Sequence, residues 1–303
     1  MRWFETPNFN FIKAHKVAYW ISGTLLVAAL IGIIFKGLQY GIDFKGGKSF
    51  VLQFEQPVQV TEIRSALTQP LGSTPEVKRF GSESDILIRT DNPGDINEVQ
   101  NLITSSMSEL YPEIDATVIK TDVVGPRFAE DLKQGALNAI IFALIIIFIY
   151  ILIRFKNWTF SLGAVAALFH DVLLVLGVFT IFSDILPFNM QIDQAIIAAF
   201  LTIVGYSLND TVVVFDRIRE NSLLFKTMEY KEMINKSLND TLSRTVITSI
   251  TTLFVVTVLF LFGGEVLKGF SFALVLGIIV GTYSSLFVAS SIVVELESKT
   301  KKA

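Results

Sequence analysis

The chain has 303 residues, 51% hydrophobic and 17% charged, with a net charge of −3 and a mean hydropathy of +0.56. Soluble domains carry roughly 25% charged residues, so this composition excludes an ordinary water-soluble protein, and the small negative charge leaves no basic field for nucleic acid. Cysteine is absent and His15 and His170 are the only histidines, which excludes disulfides, thiol catalysis, iron–sulfur clusters and multi-histidine metal sites.

A predicted cytoplasmic N-terminus, residues 1–16, leads into an apolar run over 17–35. Such a run is long enough, as a helix, to cross a hydrocarbon core of roughly 30 Å. Lys13 and Lys16 precede it as in a signal peptide, but Phe35-Lys36-Gly37 offers no small-residue cleavage site, so it reads as a retained anchor.

Residues 36–135 form the one large water-facing piece. It opens on Gly41-Ile42-Asp43-Phe44-Lys45-Gly46-Gly47, a loop so rich in glycine that it implies positive φ or close backbone approach. On its own it reads more readily as structural than as ligand-binding. Phe50, Leu52 and Phe54 alternate as on a strand over 49–55. Thr61 is placed to cap a short helix through Leu67. Strands over 76–80 and 85–89 flank a Gly81-Ser82 turn. After Asn92-Pro93-Gly94, the spacing of Ile96, Val99, Ile103, Met107 and Leu110 predicts a helix, and 116–124 a last strand. The order strand, helix, strand, strand, helix, strand is that of a ferredoxin-like α+β domain. Gly125-Pro126 then breaks the chain before an amphipathic lead-in.

Five further apolar runs, 136–153, 162–182, 195–214, 245–262 and 270–294, complete a bundle over 136–294, with a tail over 295–303. Each is predicted helical, because a lone segment in lipid has to satisfy its own backbone. The fold class is a polytopic α-helical membrane protein: six transmembrane helices plus one periplasmic ferredoxin-like domain. Lysine and arginine concentrate on one side, at Arg2, Lys13 and Lys16, in the loops after Tyr150 and Phe215, and at Lys299, Lys301 and Lys302; the opposite short loops carry only Lys268. The positive-inside rule therefore puts both termini in the cytoplasm and residues 36–135 outside.

Charges within the apolar runs carry the chemical argument, since each costs several kcal/mol in lipid unless paired or turned inward. Asp210, after Asn209, and Arg244, before Thr245, lie at similar depth on antiparallel neighbours when counted at about 1.5 Å per residue. A carboxylate–guanidinium pair is thus geometrically open. As a proton-coupled switch, a change in their separation changes proton occupancy; as a static pair, it closes the cytoplasmic end of the bundle. Asp171, beside His170, is a second buried acid, a relay or a helix contact. Asp216, Arg217, Arg219 and Glu220 read as a solvated interfacial cluster, and Gly205 with Asn209 as a face that lets a helix approach. Gly46-Gly47-Lys48-Ser49 lacks the preceding glycine at the spacing a phosphate loop requires and a helix to follow, so no ATP site is expected. Gly205-Tyr206-Ser207 lacks the context of an intramembrane protease.

Taken together, the 41–47 loop, Val124-Gly125-Pro126, His170-Asp171, the run from Gly205-Tyr206-Ser207-Leu208-Asn209-Asp210 to Asn221, and Ser243-Arg244-Thr245 with Thr251-Thr252 resemble the SecD/SecF family of the bacterial Sec protein-export machinery. The resemblance covers residues 8 to 295 or so in order and spacing. It implies a half of a resistance-nodulation-division pump in the inner membrane, paired with a SecD half beside the SecYEG channel. The function implied is proton-driven assistance to the translocating preprotein, with protons as coupling ion and neither metal nor cofactor. The resemblance also implies that Asp210 and Arg244 form the proton relay, with Asn209, Asp171 and Thr245 as a second tier and Gly41, Asp43, Gly46 and Gly47 as a signature loop. The competing expectations are a small-molecule or lipid exporter half of the same superfamily, which would carry a second large outer insertion, and a purely structural assembly subunit, which would tolerate neutralisation of Asp210.

Overall fold

The computed structural model describes residues 8–300, apart from 184 and 187. Arg2, Lys301 and Lys302 of the charge count lie outside the described residues. Among those described, six helices are long and apolar enough to cross a membrane.

Helix α1, Phe11–Lys36, is capped by Asn10, whose side chain accepts the Lys13 N–H. After a one-turn helix α2, Ile42–Lys45, the outer domain runs β1 (Gly47–Phe54), α3 (Val60–Leu71), β2 (Glu76–Phe80), β3 (Ser82–Thr90), α4 (Ile96–Leu110) and β4 (Ala116–Val124). The sheet order is β2-β3-β1-β4, every pair antiparallel, the ferredoxin-like arrangement expected. Asp95 caps α4 through the Asn97 N–H. The expected cap at Thr61 is not made: α3 begins at Val60, with Gln59 at the cap position, so Thr61 falls in its first turn.

Phe50, Leu52, Ile88, Ile63, Ile103 and Met107 close the outer core between the sheet and its two helices. Each such side chain contributes roughly 1.5–3 kcal/mol on burial. Alternation predicted one buried face for β1, but both are covered: Val51 is 2% exposed and Ser49 4%. The second face lies over the outer loop at Asn189, Gln191 and Asp193, so the domain sits sheet-down on the membrane part.

Pro126, at the first position after Gly125, starts the long helix α5, Pro126–Phe155, where its missing N–H costs nothing. The lead-in and the second span are thus one continuous helix. Then come α6 (Trp158–Phe182), α7 (Gln194–Leu224), α8 (Tyr230–Phe262) and α9 (Glu265–Ser284), a π-helical turn at Ser285–Ala289, and α10 (Ser290–Thr300). Helices α6, α7 and α9 form the interior, whereas α5 is almost wholly exposed and α1 and α8 largely so. Glycines let the helices approach closely. A Cβ at Gly177 would overlap Ala29 of α1, and one at Gly281 would come within 3.0 Å of the Ser207 Cβ. Beyond the apolar runs, α7 and α8 project charged ends, where Arg154 pairs with Asp216 at 3.0 Å and Arg217 with Glu220 at 3.0 Å.

Candidate proton site and its outer linkage

Asp210 lies inside the bundle, 3% exposed, on the face of α7 turned toward α8 and α9. Ser249 of α8 donates a hydrogen bond to its Oδ2 at 3.4 Å, and Ser249 Oγ lies 2.7 Å from Thr282 Oγ1 of α9. Burial of a carboxylate with one weak donor leaves its charge poorly compensated, which is what a group that gains and loses a proton requires.

The expected Asp210–Arg244 ion pair is not formed among the described residues. Arg244 is exposed. The reason is azimuth. Ser249, which faces Asp210, is five residues from Arg244, and at about 100° per residue that turns Arg244 roughly 140° away. Equal depth placed the two residues at one level but not on facing sides.

The second-tier residues divide. Asn209 is exposed, and Thr245 is buried with its hydroxyl unpartnered, as is that of Thr211 beside Asp210. Gly205, expected to receive a neighbouring helix, has nothing within 4 Å of a Cβ built on it. With the outward Thr202 and Thr251 hydroxyls bonded to Ala198 O and Ile247 O of their own helices, Asn209 of α7 and Arg244 of α8 are the outward-facing polar positions singled out within spans. In lipid such positions are costly.

Asp171 is fully buried and belongs to a hydrogen-bonded chain linking four helices. Its Oδ2 accepts from Ser207 of α7 at 2.6 Å and Ser284 of α9 at 2.7 Å; its Oδ1 meets His170 Nδ1 at 2.9 Å. His170 Nε2 lies 3.0 Å from Ser22 Oγ of α1, which lies 3.0 Å from the Tyr283 hydroxyl, and that hydroxyl donates to Ala18 O at 2.9 Å. Ser207 is one turn from Asp210 on the same helix. Sequence reasoning found the acid but missed Ser22, Ser207, Ser249, Thr282, Tyr283 and Ser284. Their signal was present as hydroxyls inside apolar runs, without a rule for pairing them across helices.

At the outer surface, the 41–47 loop meets the start of α7. Gly41 N–H donates to Ile192 O at 2.9 Å and Ile192 N–H to Gln39 O at 2.7 Å, a two-bond parallel bridge between Tyr40 and Ile192. Asp43 Oδ2 accepts the Gln194 N–H at 3.1 Å, beside Asp193, which caps α7 through the Ile196 N–H. Gly46 and Gly47 adopt φ of +77° and +126°, the region that favours glycine. Burial pushes Asp193 above the ordinary carboxylate range, and the Asp43 charge adds to this, against the Ile196 N–H and the Arg89 charge.

A second contact joins sheet and loop: Gln191 Nε2 donates to Glu76, which also pairs with Lys78 at 2.9 Å and Arg89 at 3.9 Å. Burial works to raise Glu76, but Lys78, Arg89 and Gln191 outweigh it and hold the carboxyl below its ordinary 4.5. A group depressed on folding adds stability that is present above pH 4.5 and lost as pH falls through the folded value. We expect sheet unfolding of the full chain in urea, followed in detergent by amide I absorbance, to ease between pH 6 and 3.5, and Glu76→Gln to flatten that dependence. Equal acid sensitivity in the variant would refute it.

Residues 103–299 match the family described as protein export membrane protein SecD/SecF, C-terminal, and residues 31–58 the SecD/SecF GG motif. The protein translocase subunit SecF of Rhodothermus marinus is 58% identical, over 99% of this chain and 96% of that one. The SecF of Haemophilus influenzae is 40% identical, over 94% and 85%. Protein translocase subunit SecDF of Thermus thermophilus is 38% identical over 99% of this chain, which spans 40% of that longer protein. The crystal structure of SecDF from Thermus thermophilus, a translocon-associated membrane protein, superposes with a TM-score of 0.85 at 36% identity, over 98% of this chain and 40% of that one. A SecDF structure in a super-membrane-facing form gives 0.72 at 35% identity, over 99% and 40%.

Proposed function

Because this chain belongs to the SecD/SecF family as a SecF subunit, an accessory part of the Sec protein-export machinery, we propose that it couples proton flow to preprotein export through Asp210. The observation that carries this reading is the poorly compensated burial of Asp210 between α7 and α8. Arg244 acts as the charge that stabilises its ionised form when the helices move. Asp171 holds the bundle around it; Asn209 and Thr245 belong to the surroundings of the site. No cofactor or metal takes part, and the chain has no ATPase of its own.

The partner is a SecD half. SecDF joins both halves in one protein, and the outward Asn209 on α7 and Arg244 on α8 need a cover that lipid does not supply. Of the competing readings, the exporter half is disfavoured by the short outer loops other than the ferredoxin-like domain. We place the pair beside SecYEG in the inner membrane, both termini cytoplasmic and residues 36–135 periplasmic, with the outer domain near the translocating preprotein. Exposed Trp20 and Trp158 near the cytoplasmic ends of α1 and α6 fit an interfacial belt beside lipid headgroups.

The test uses inner-membrane vesicles holding this chain, its SecD partner and SecYEG. Preprotein transport is expected to rise with a proton gradient and to lose that rise with a protonophore. In the cysteine-free chain, Thr74→Cys should react with an impermeant maleimide only from the periplasmic side and Leu224→Cys only from the cytoplasmic side. Protonophore-resistant stimulation refutes the coupling, and reversed labelling refutes the orientation.

A further inference from the structure

We propose that Gly41 and Asp43 are positioning residues that gear the outer domain to α7, so that displacement of the helix carrying Asp210 is delivered to β1. The inference rests on the proton-coupling reading and deepens it.

The outer domain hangs covalently on α1 and α5. The 41–47 loop adds a noncovalent tie to α7. The Tyr40–Ile192 bridge fixes the chain before α7 by two main-chain hydrogen bonds. Asp43 then places a carboxylate at the positive end of α7, where a negative charge is favoured. Gly41 permits this approach, because a Cβ there would come within 3.3 Å of Asp193 Cβ. Beyond α2, a Cβ at Gly46 would lie 3.0 Å from Pro126 Cα, and one at Gly47 2.8 Å from Thr90 O. The loop is thus pressed against the starts of α5 and α7 and the end of β3, and leads into the central strand of the sheet. A shift of α7 along its axis pulls on Ile192 and Gln194 first, and both are bonded to the segment that enters β1. A tie that served only to close a turn would not need to cap a second helix.

The test uses the assembled complex in vesicles, reading abundance, proton uptake and gradient-stimulated export. Asp43→Ala is expected to retain proton uptake and lose most of the stimulation of export. Asp43→Asn should keep it, because an amide oxygen accepts the same N–H. Adding Tyr40→Cys with Ile192→Cys to Asp43→Ala makes a disulfide across the bridge, whose spacing of about 4.8 Å suits one. Stimulation should return when that bond is oxidised and vanish on reduction.

Full stimulation in Asp43→Ala, loss of proton uptake together with export, or a disulfide that restores nothing each overturns the proposal. If Asp43→Ala lowers abundance, the oxidised double-cysteine form carries the comparison within assembled complex: loss of stimulation on reduction supports the gear, and no change overturns it. Failure of the relay reading is seen separately, as gradient stimulation that persists in Asp210→Asn.

Discussion

Asp210→Asn will assemble at normal abundance and show no proton-dependent stimulation of export. The side chain keeps its volume, and its amide oxygen still accepts from Ser249, so the packing of α7 against α8 and α9 is preserved. What is lost is the ability to change charge. A proton crossing 100 mV releases about 2.3 kcal/mol, and only a group that gains and loses charge can turn that into helix movement. Arg244→Lys should be partly active, because it keeps the positive charge and loses the planar fork that matches a carboxylate. A merely structural Asp210 predicts a different result, namely export impaired equally with and without a gradient. Normal abundance with normal gradient stimulation in Asp210→Asn would sink the relay.

Asp171→Ala will fail earlier, at assembly. It strips a common acceptor from Ser207 and Ser284 and a partner from His170; Ser284 can fall back on Gly281 O, but Ser207 and His170 Nδ1 are left buried and unsatisfied at about 1–3 kcal/mol each. The sum is on the order of several kcal/mol, a large share of the marginal stability of a folded protein. Asp171→Asn should be far milder. Its amide oxygen can replace Oδ2 toward both serines, and its amide group can donate to His170 Nδ1 in the matching tautomer. Complex yield and urea resistance in detergent measure the difference; equal yields for the Ala variant and the unsubstituted chain would remove Asp171 from the framework of the bundle.

What could be read from sequence follows the range over which each signal acts. Periodicity is local, so the strands at Phe50 and Ile88, the helix through Ile103 and Met107, and the spanning runs were legible, and with them the ferredoxin-like order. The cost of charge in lipid is also a property of single positions, and it singled out Asp210 and Asp171. Contacts across helices were legible only in one dimension. Counting residues placed Arg244 at the height of Asp210 but could not show that it points some 140° from Ser249, nor that Gly205 and Asn209 face outward. The second buried face of β1 left no periodic trace, because its cover is the irregular loop around Gln191. The positive φ of Gly46 and Gly47 was foreseeable from glycine density, whereas the reason for Asp43 emerged only with α7 beside it.

The π-helical turn at Ser285–Ala289 begins immediately after Ser284, one of the two hydroxyls on Asp171. Such a turn holds one residue in excess of an α-turn, with i→i+5 hydrogen bonds. By exchanging those bonds one at a time with i→i+4 bonds, the excess can migrate along the helix as a travelling defect, turning the segment it passes by about 100°. Each exchange substitutes one backbone bond for another, so no amide is bared to hydrocarbon on the way. The last span can therefore swivel the serine that grips Asp171 without unwinding, a form of motion open to a helix that has no water to rescue a broken bond.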